Sequence, residues 1–348
     1  MQGGAPAGDP AAWARLAANE SSQGCSPLVL EAVARGSGSL NRYPDPQSRQ
    51  LRAALARRFD LPEDGIICGN GSEAVIESIV RCYARPGDEV VFGEYTFIQF
   101  RIFASRVGAT PVAAPERAHT ASVDALLAAV TARTTIVILD NPGNPTGTTI
   151  SASEVRRLRD GLRPDIVLVL DSAYAEYVDA PDYTAGHDIA AESGNVIVTR
   201  TFSKAFGLAA LRVGWAHGAR ELIAVLERVK QIGNVNALAQ VAAVAALDNM
   251  AFMRAAVAET ILTRRRTTSA LNALGLHPLP SQTNFICLGF PDAACARTAW
   301  QALLDDGIAV RRIDDYGLPA FLRVGIGTDA EMDRTLASLT RHLATAGA

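Results

Sequence analysis

Along the middle of the chain, short apolar runs rich in β-branched residues alternate with longer segments whose apolar positions recur at helical spacing. TTIVIL at 134–139, IVLVL at 166–170 and NVIVT at 195–199 are apolar throughout, while SASEVRRLRDG at 151–161 repeats its apolar positions like an amphipathic helix. A strand that is apolar throughout instead of alternating needs cover on both faces, and strand–helix–strand order needs parallel pairing. The pattern predicts an α/β fold: a mostly parallel central sheet sandwiched by helices, spanning 46–246. After it, an alanine-rich stretch from about 236 to 271 reads as one long helix. NFICLGF, a helix near 293–305, IAVRRI, FLRVGI and a final helix then follow in the order of a smaller α+β domain, placed at 247–348, with 1–45 as an N-terminal arm.

Composition narrows the class. The 348 residues, 49% of them hydrophobic, suffice for one large core and a second domain. No run approaches the roughly 20 apolar residues of a membrane span, and MQGGAPAGDP lacks the charged start and apolar centre of a signal peptide. A cytoplasmic protein with a disordered Gly/Ala/Pro-rich start is expected. Five cysteines, an odd number with no close pair, fit neither a disulfide framework nor a zinc site, so no metal is expected and the thiols are read as buried or idle. The net charge of -3 and the dispersed arginines argue against a nucleic-acid surface, and the run Arg264–Arg266 reads as a solvated helix face.

One imbalance points to chemistry. Of the 33 basic residues only Lys204 and Lys230 are lysines. Arginine stays protonated, whereas a lysine amine, once deprotonated by its surroundings, condenses with a carbonyl. Lys230 lies in ELIAVLERVKQI three residues after Glu227, where a surface ion pair accounts for it. Lys204 has no such partner. It follows the strand NVIVT in the turn RTFSKAFG, at the end of an expected parallel strand, where α/β proteins collect their ligands.

An amine so placed suggests a carbonyl cofactor. Pyridoxal phosphate would also require an acid at its ring nitrogen, donors to its ring hydroxyl oxygen and a cradle for its phosphate. Asp171, at the carboxyl end of IVLVL, is the candidate acid; at about 4 Å a carboxylate holds a pyridinium charge with roughly 4 kcal/mol of partly screened attraction. Tyr174 in DSAY and Asn144 in NPGNPTG are candidate donors to the ring oxygen. Gly71 and Ser72 in GNGSEA follow the short strand GIIC and open a helix, so their amides, the Ser72 hydroxyl and the adjoining Glu73 lie where an anion binds. Thr201, Ser203 and Arg212 flank Lys204 and complete the cradle. Plainer explanations exist: Asp171 and Ser72 as helix caps, Asn144 as part of a turn. GNGSEA also matches the G-x-G-x-x-A of dinucleotide sites, with Glu94 ending the next strand, so a nicotinamide-dependent oxidoreductase is the competing reading. That reading leaves Lys204, Asp171, Tyr174, Asn144 and Arg212 without a role.

NRYPDP at 41–46, GNGSE, NPTG, DSAYAEY, TRTFSKAFGLAALRVG and LRVGIGT, in that order, resemble the motifs of histidinol-phosphate aminotransferases, a branch of the aspartate-aminotransferase superfamily. The resemblance covers nearly the whole chain. It implies fold type I, pyridoxal 5'-phosphate, a homodimer with contacts from the N-terminal arm, and the roles already given to Lys204, Asp171, Tyr174, Asn144 and Arg212. It adds Phe97 as the residue stacking on the cofactor ring, Tyr43 as a contact to the cofactor phosphate of the other subunit, and Arg323 as the ligand of an α-carboxylate. Arg311 then becomes the candidate reader of a substrate phosphate, the alternative being an ion pair with Asp314, Asp315 or Asp329. The implied reaction passes the amine of histidinol phosphate to 2-oxoglutarate, giving imidazole acetol phosphate and glutamate, a step of histidine biosynthesis. Aromatic amino-acid aminotransferases, threonine-phosphate decarboxylases and oxygen-using deaminases share the cofactor set. Two departures stand out: Ser172 replaces the usual acid after the pyridine-binding aspartate, and the family's Asn-Glu-Asn-Pro reads Asn19, Glu20, Ser21, Ser22. That segment borders the substrate, with Asn19 as the expected contact, so the change bears on side-chain specificity.

Overall fold

The computed structural model describes residues 13–346; the Gly/Ala/Pro-rich start expected to be disordered lies outside them. Each apolar run forms a strand of one seven-stranded sheet, in the order Ile66–Gly69, Gly214–Gly218, Val196–Thr201, Val167–Asp171, Thr134–Asp140, Glu89–Gly93, Thr110–Ala114. Only Gly214–Gly218 runs against its neighbours. Successive residues of the central strands point to opposite faces, and both faces are dry. Ile136, Ile138, Val167, Val169 and Ile197 pack against helices Ser72–Tyr83, Gln99–Arg106 and Arg220–Val229. Val137, Leu139, Leu168, Leu170, Val196 and Val198 meet helices Val123–Ala128, Ala152–Gly161 and His187–Glu192 on the other side. Each fully buried aliphatic contributes roughly 1.5–3 kcal/mol, so an aspartate at Val169, a position with no solvated side, would break the sheet. The helix Ala152–Gly161 shows the local logic: the Ser151 hydroxyl accepts the Glu154 N–H to start it, and Val155 and Leu158 bury its inner face.

The alanine-rich stretch departs from expectation. Instead of one helix it forms two, Ala237–Asp248 and Met250–Ala273, bent by 79°. Asn249 makes the corner: its backbone leaves the helical region, its side-chain oxygen accepts the Phe252 N–H, and its amide donates to Ser26 Oγ at 2.8 Å. Lys230 does pair with Glu227, at 2.7 Å, but its side chain is 8% exposed and so does not lie on the surface as expected. The Arg264–Arg266 run is a solvated face only in part: Arg265 and Arg266 are exposed as expected, and Arg264 is not. Arg264 is buried and donates to the Tyr177 and Thr283 carbonyls, while Arg265 pairs with Asp179 and Arg266 with Asp329 and Asp333. Among the described residues no single helix is long and apolar enough to cross a membrane.

The C-terminal elements form a four-stranded antiparallel sheet, Arg311–Arg312, Phe321–Gly325, Phe285–Gly289, His277–Pro278, packed on helices Ala293–Asp305 and Asp329–Ala346 through Leu288, Leu303, Leu322 and Met332. IAVRRI divides between two sheets. Ile308–Ala309 pairs in parallel with Ala14–Arg15 near the start of the chain, and Arg311–Arg312 pairs with Phe321–Gly325. The segment after Arg15 is fastened as well: Gly325 N–H donates to Leu16 O, and Asn284 Nδ2 donates to Asn19 O. The two sheets thereby close on a shared cavity.

Candidate active site

The cavity measures about 960 Å³ and lies at the carboxyl ends of the central parallel strands, where side chains leave the sheet. Asn19, Ser72, Glu73, Phe97, Asn144, Asp171, Tyr174, Thr201, Ser203, Lys204, Arg212, Arg311 and Arg323 all line it. Gly71 stands just behind Ser72. Tyr43 does not line it and is fully exposed in the single chain.

Lys204 follows the strand Val196–Thr201. Its Nζ donates to the carbonyls of Ala18 at 3.2 Å and Asn19 at 3.3 Å and sits 5.7 Å from the centre of the Tyr174 ring. Burial, then the charges of Arg323 and Arg212, draw its pKa down to about 7. Near neutrality the amine is therefore substantially unprotonated. Asp171 ends its strand and caps no helix; one carboxylate oxygen accepts the Thr199 hydroxyl at 2.8 Å. Burial, and beyond it the nearby Asp140, raise its pKa to about 7. A carboxyl held in this way takes up a cationic partner readily, because such a partner relieves the desolvation.

Tyr174 accepts a hydrogen bond from Asn19 Nδ2 at 3.1 Å, and burial pushes its hydroxyl up to about 12, so it keeps its proton at neutral pH. Asn144 Oδ1 accepts from Arg323 Nη1 at 2.6 Å, which leaves the Asn144 NH2 as the end available to a ligand. Arg323 is buried, its Nη2 donates to Ala17 O, and its Nε has no partner. The Asn19 side-chain oxygen is likewise buried and unpartnered, and its backbone adopts a left-handed φ of 56°. Ser172, the departure beside Asp171, donates to Ala185 O and does not line the cavity.

A set of anion donors gathers around the start of helix Ser72–Tyr83. Gly71, at φ 85°, is the residue before the helix and Ser72 the first in it, so the Ser72 hydroxyl does not serve as the cap. A Cβ on Gly71 would come within 3.0 Å of the Arg212 guanidinium, and one on Gly214 would overlap the Ser72 amide. These glycines leave room for backbone amides and Arg212 to converge. Arg212, itself left-handed at φ 52°, donates to Ser203 Oγ and lies 3.7 Å from Glu73, and Thr201 Oγ1 accepts the Ser203 N–H. Phe97 packs edge-on to Phe100 and donates its N–H to Asp140.

Arg311 and Arg323 are register partners on adjacent antiparallel strands, so both side chains stand on one face of the small sheet. The ion pair weighed as the alternative for Arg311 is present, with Asp315 at 2.7 Å, and the guanidinium lies 5.4 Å from the centre of the Tyr316 ring. Ser21 and Ser22 do not reach the main cavity. They line an adjoining one of about 440 Å³ that also touches Asn19 and Glu20. Asp140, Tyr316 and the Ala17 and Ala18 carbonyls escaped sequence reasoning. For Asp140 a signal existed, since TTIVILD and IVLVLD end alike.

A ligand that satisfies this arrangement carries a phosphate for the helix start, a basic ring nitrogen for Asp171 and an aldehyde for Lys204. Pyridoxal phosphate has all three, and the residues present fit it, which defines the class as fold type I enzymes that use that cofactor. Within that class the chain belongs to the aminotransferase class I and II family, whose model matches residues 11–339. It is a pyridoxal-phosphate-dependent transaminase, and the nicotinamide reading of GNGSEA falls away. The histidinol-phosphate aminotransferase of Maricaulis maris is 44% identical over 332 residues, covering 94% of this chain and 91% of that relative. The enzyme of the same name from Erythrobacter litoralis is 46% identical over 323 residues, covering 92% and 88%. A solved histidinol-phosphate aminotransferase from Sinorhizobium meliloti, in complex with pyridoxal-5'-phosphate, matches with a TM-score of 0.89 at 30% identity, covering 96% of this chain and 91% of that one.

Proposed function

We propose that this chain transfers the amine of histidinol phosphate to 2-oxoglutarate, giving imidazole acetol phosphate and glutamate, as a step of histidine biosynthesis. The observation that carries the reading is the pair of arginines, Arg311 and Arg323, side by side on one cavity wall, in a chain whose relatives bear that enzyme's name. Two anions need two cations. Arg323 takes the α-carboxylate of the 2-oxo acid, Arg311 takes the phosphate of the donor, and Asn19 contacts the substrate beside them.

Bound pyridoxal phosphate supplies an aldehyde for the amine and a ring that spreads the charge left when the substrate carbon loses its proton. Lys204 Nζ is the amine that meets this aldehyde. As a free amine, Nζ would be the base that takes the proton from the substrate carbon and gives it back, a duty suited by a pKa near 7. Asp171 holds the ring nitrogen in its protonated form. The Tyr174 hydroxyl and the Asn144 NH2 donate to the ring oxygen, and Phe97 stacks on the ring. Gly71, Ser72, Thr201, Ser203 and Arg212 hold the phosphate; Glu73 adds a first-turn amide and steadies Arg212.

On this reading residues 46–246 are the large cofactor-binding domain, 247–348 the small domain, and 1–45 an arm that joins the small domain and a dimer contact. The active unit is a two-fold homodimer in which Tyr43 reaches the cofactor phosphate of the other subunit; its full exposure, with Leu40 and Ile232 also exposed, supports this. Five free cysteines accord with a cytoplasmic location. Replacing Tyr43 with phenylalanine is expected to weaken cofactor binding, and a cofactor-saturated, fully active monomer in sedimentation would overturn the dimer. The substrate assignment is tested by Arg311→Ala. Loss of a charge-assisted contact should lower kcat/KM for histidinol phosphate by the equivalent of roughly 2–4 kcal/mol and affect phenylalanine much less. Wild-type protein that ignores histidinol phosphate but transaminates aromatic amino acids would replace this reading with the aromatic one.

A further inference from the structure

Asp140 ends the strand Thr134–Asp140 opposite Asp171, its register partner on the neighbouring strand. It lines the cavity, yet among the described residues no cation pairs with its carboxylate. One oxygen accepts the Thr96 hydroxyl at 2.6 Å. The other accepts two backbone N–H groups, that of Phe97 at 3.2 Å and that of Asn144 at 2.9 Å. These two amides belong to different connections. Phe97 lies between the strand Glu89–Gly93 and the helix Gln99–Arg106, and Asn144 between the strand Thr134–Asp140 and the helix Ala152–Gly161. The ladder between the two strands that lead into these loops ends at Phe92 and Ile138, so at the level of Phe97 and Asn144 the Asp140 carboxylate joins one loop to the other.

We propose that Asp140 is a positioning residue for the cofactor: it braces the loop of Phe97 against the loop of Asn144, so that the ring-stacking side chain and the donor to the ring oxygen are set relative to each other before the cofactor arrives. The proposal rests on the assignment of Phe97 and Asn144 made above. A carboxylate suits the task because it only accepts, and three donors converge on it. Asparagine meets the same demand by a different division: its oxygen accepts the two N–H groups, and its NH2 donates to Thr96 Oγ1. Alanine meets none of it and leaves two amides facing the cavity wall unpartnered.

The test measures the dissociation constant of pyridoxal phosphate by equilibrium dialysis, together with the visible circular dichroism of the bound cofactor, which reports how its ring is held. Asp140→Ala is expected to weaken binding about tenfold to a hundredfold and to diminish the dichroic band, whereas Asp140→Asn restores affinity to within about threefold and keeps the band. Thermal unfolding of the cofactor-free chains checks that each variant folds. If Asp140→Ala does not fold, Asp140→Ser takes its place, since serine is too short to reach both loops and is expected to behave as alanine does. Wild-type affinity and dichroism in the alanine or serine variant overturn the proposal, as does an asparagine variant as weak as alanine. Phe97→Ala and Asn144→Ala separate the two levels. If both bind the cofactor like wild type, the assignment of those residues is what fails; if both bind weakly while Asp140→Ala does not, the bracing role alone fails.

Discussion

The two lysines of this chain carry the same amine into opposite surroundings. Lys230 closes the helix Arg220–Val229 with the Glu227 carboxylate 2.7 Å away, a charge matched by its neighbour. Lys204 meets two carbonyl oxygens, with Arg323 and Arg212 as the cations bearing on it, and its proton is held only up to about pH 7. Neither is an ordinary surface lysine. Burial does most to loosen the Lys204 proton and the two arginines add to it, whereas the buried Lys230 side chain has a carboxylate to match its charge.

Exchanging the roles of the two lysines gives the largest expected effect. Lys204→Ala should lower turnover by at least about a thousandfold while the phosphate cradle still binds the cofactor, and Lys204→Arg should do no better, because a guanidinium cannot act as the amine. Near-normal transamination by either variant, measured with donor and 2-oxo acid together, would defeat the assignment. Asp171→Asn sharpens the same contrast from the acid side. The folded chain holds the Asp171 carboxyl up near 7 against an ordinary 3.8, so ionisation costs stability that grows as the pH rises between those values and is complete above 7. The asparagine variant, inactive as an enzyme, should therefore be more stable than wild type in the cofactor-free state at pH 8, by on the order of 1–3 kcal/mol in denaturant titration, and the gain should shrink towards pH 5. A gain that stays the same across that range would count against the burial of this carboxyl as its cause.

Arg323→Gln addresses the cation directly. Removing a positive neighbour makes the Lys204 ammonium easier to keep, so the pH midpoint for reductive alkylation of Lys204 in the cofactor-free chain should rise from near 7, by about one unit. An unmoved midpoint would leave burial as the whole explanation. The smallest effect belongs to Lys230→Met, which removes one side of a partly buried pair and should cost about 1–2 kcal/mol of stability with turnover nearly intact. A large loss of turnover there would erase the distinction between the two lysines.

How much of this was legible beforehand depended on whether the signal was local. The strands at Thr134–Asp140, Val167–Asp171 and Val196–Thr201 were readable because runs apolar on every residue admit few other structures. Lys204 was readable because lysine is so scarce in this chain. The corner at Asn249 was not: an Asp-Asn pair inside an alanine-rich stretch is a weak local signal, and what fixes the break is a hydrogen bond to Ser26, far away in sequence. Burial of Arg264 and Lys230 was invisible for a related reason, since the groups covering them come from other elements. Asp140 was overlooked because an aspartate leading into an Asn-Pro turn has an ordinary local use, and its three donors come from two loops that only the folded sheet brings together.

The fastening of residues 14–20 sets an order of events during synthesis. Ala14 and Arg15 pair with Ile308 and Ala309, Leu16 with Gly325, and Asn19 with Asn284, so the first of these residues to leave the ribosome waits for a partner roughly 290 positions later. Arg323 arrives just as late. A nascent chain long enough to include the central sheet, Lys204 and Arg212 still lacks Arg323 and the strands that fasten the Ala18 and Asn19 carbonyls in place. The amine therefore acquires its full reactivity only after the residues that pair with 14–20, and Arg323 with them, have been made.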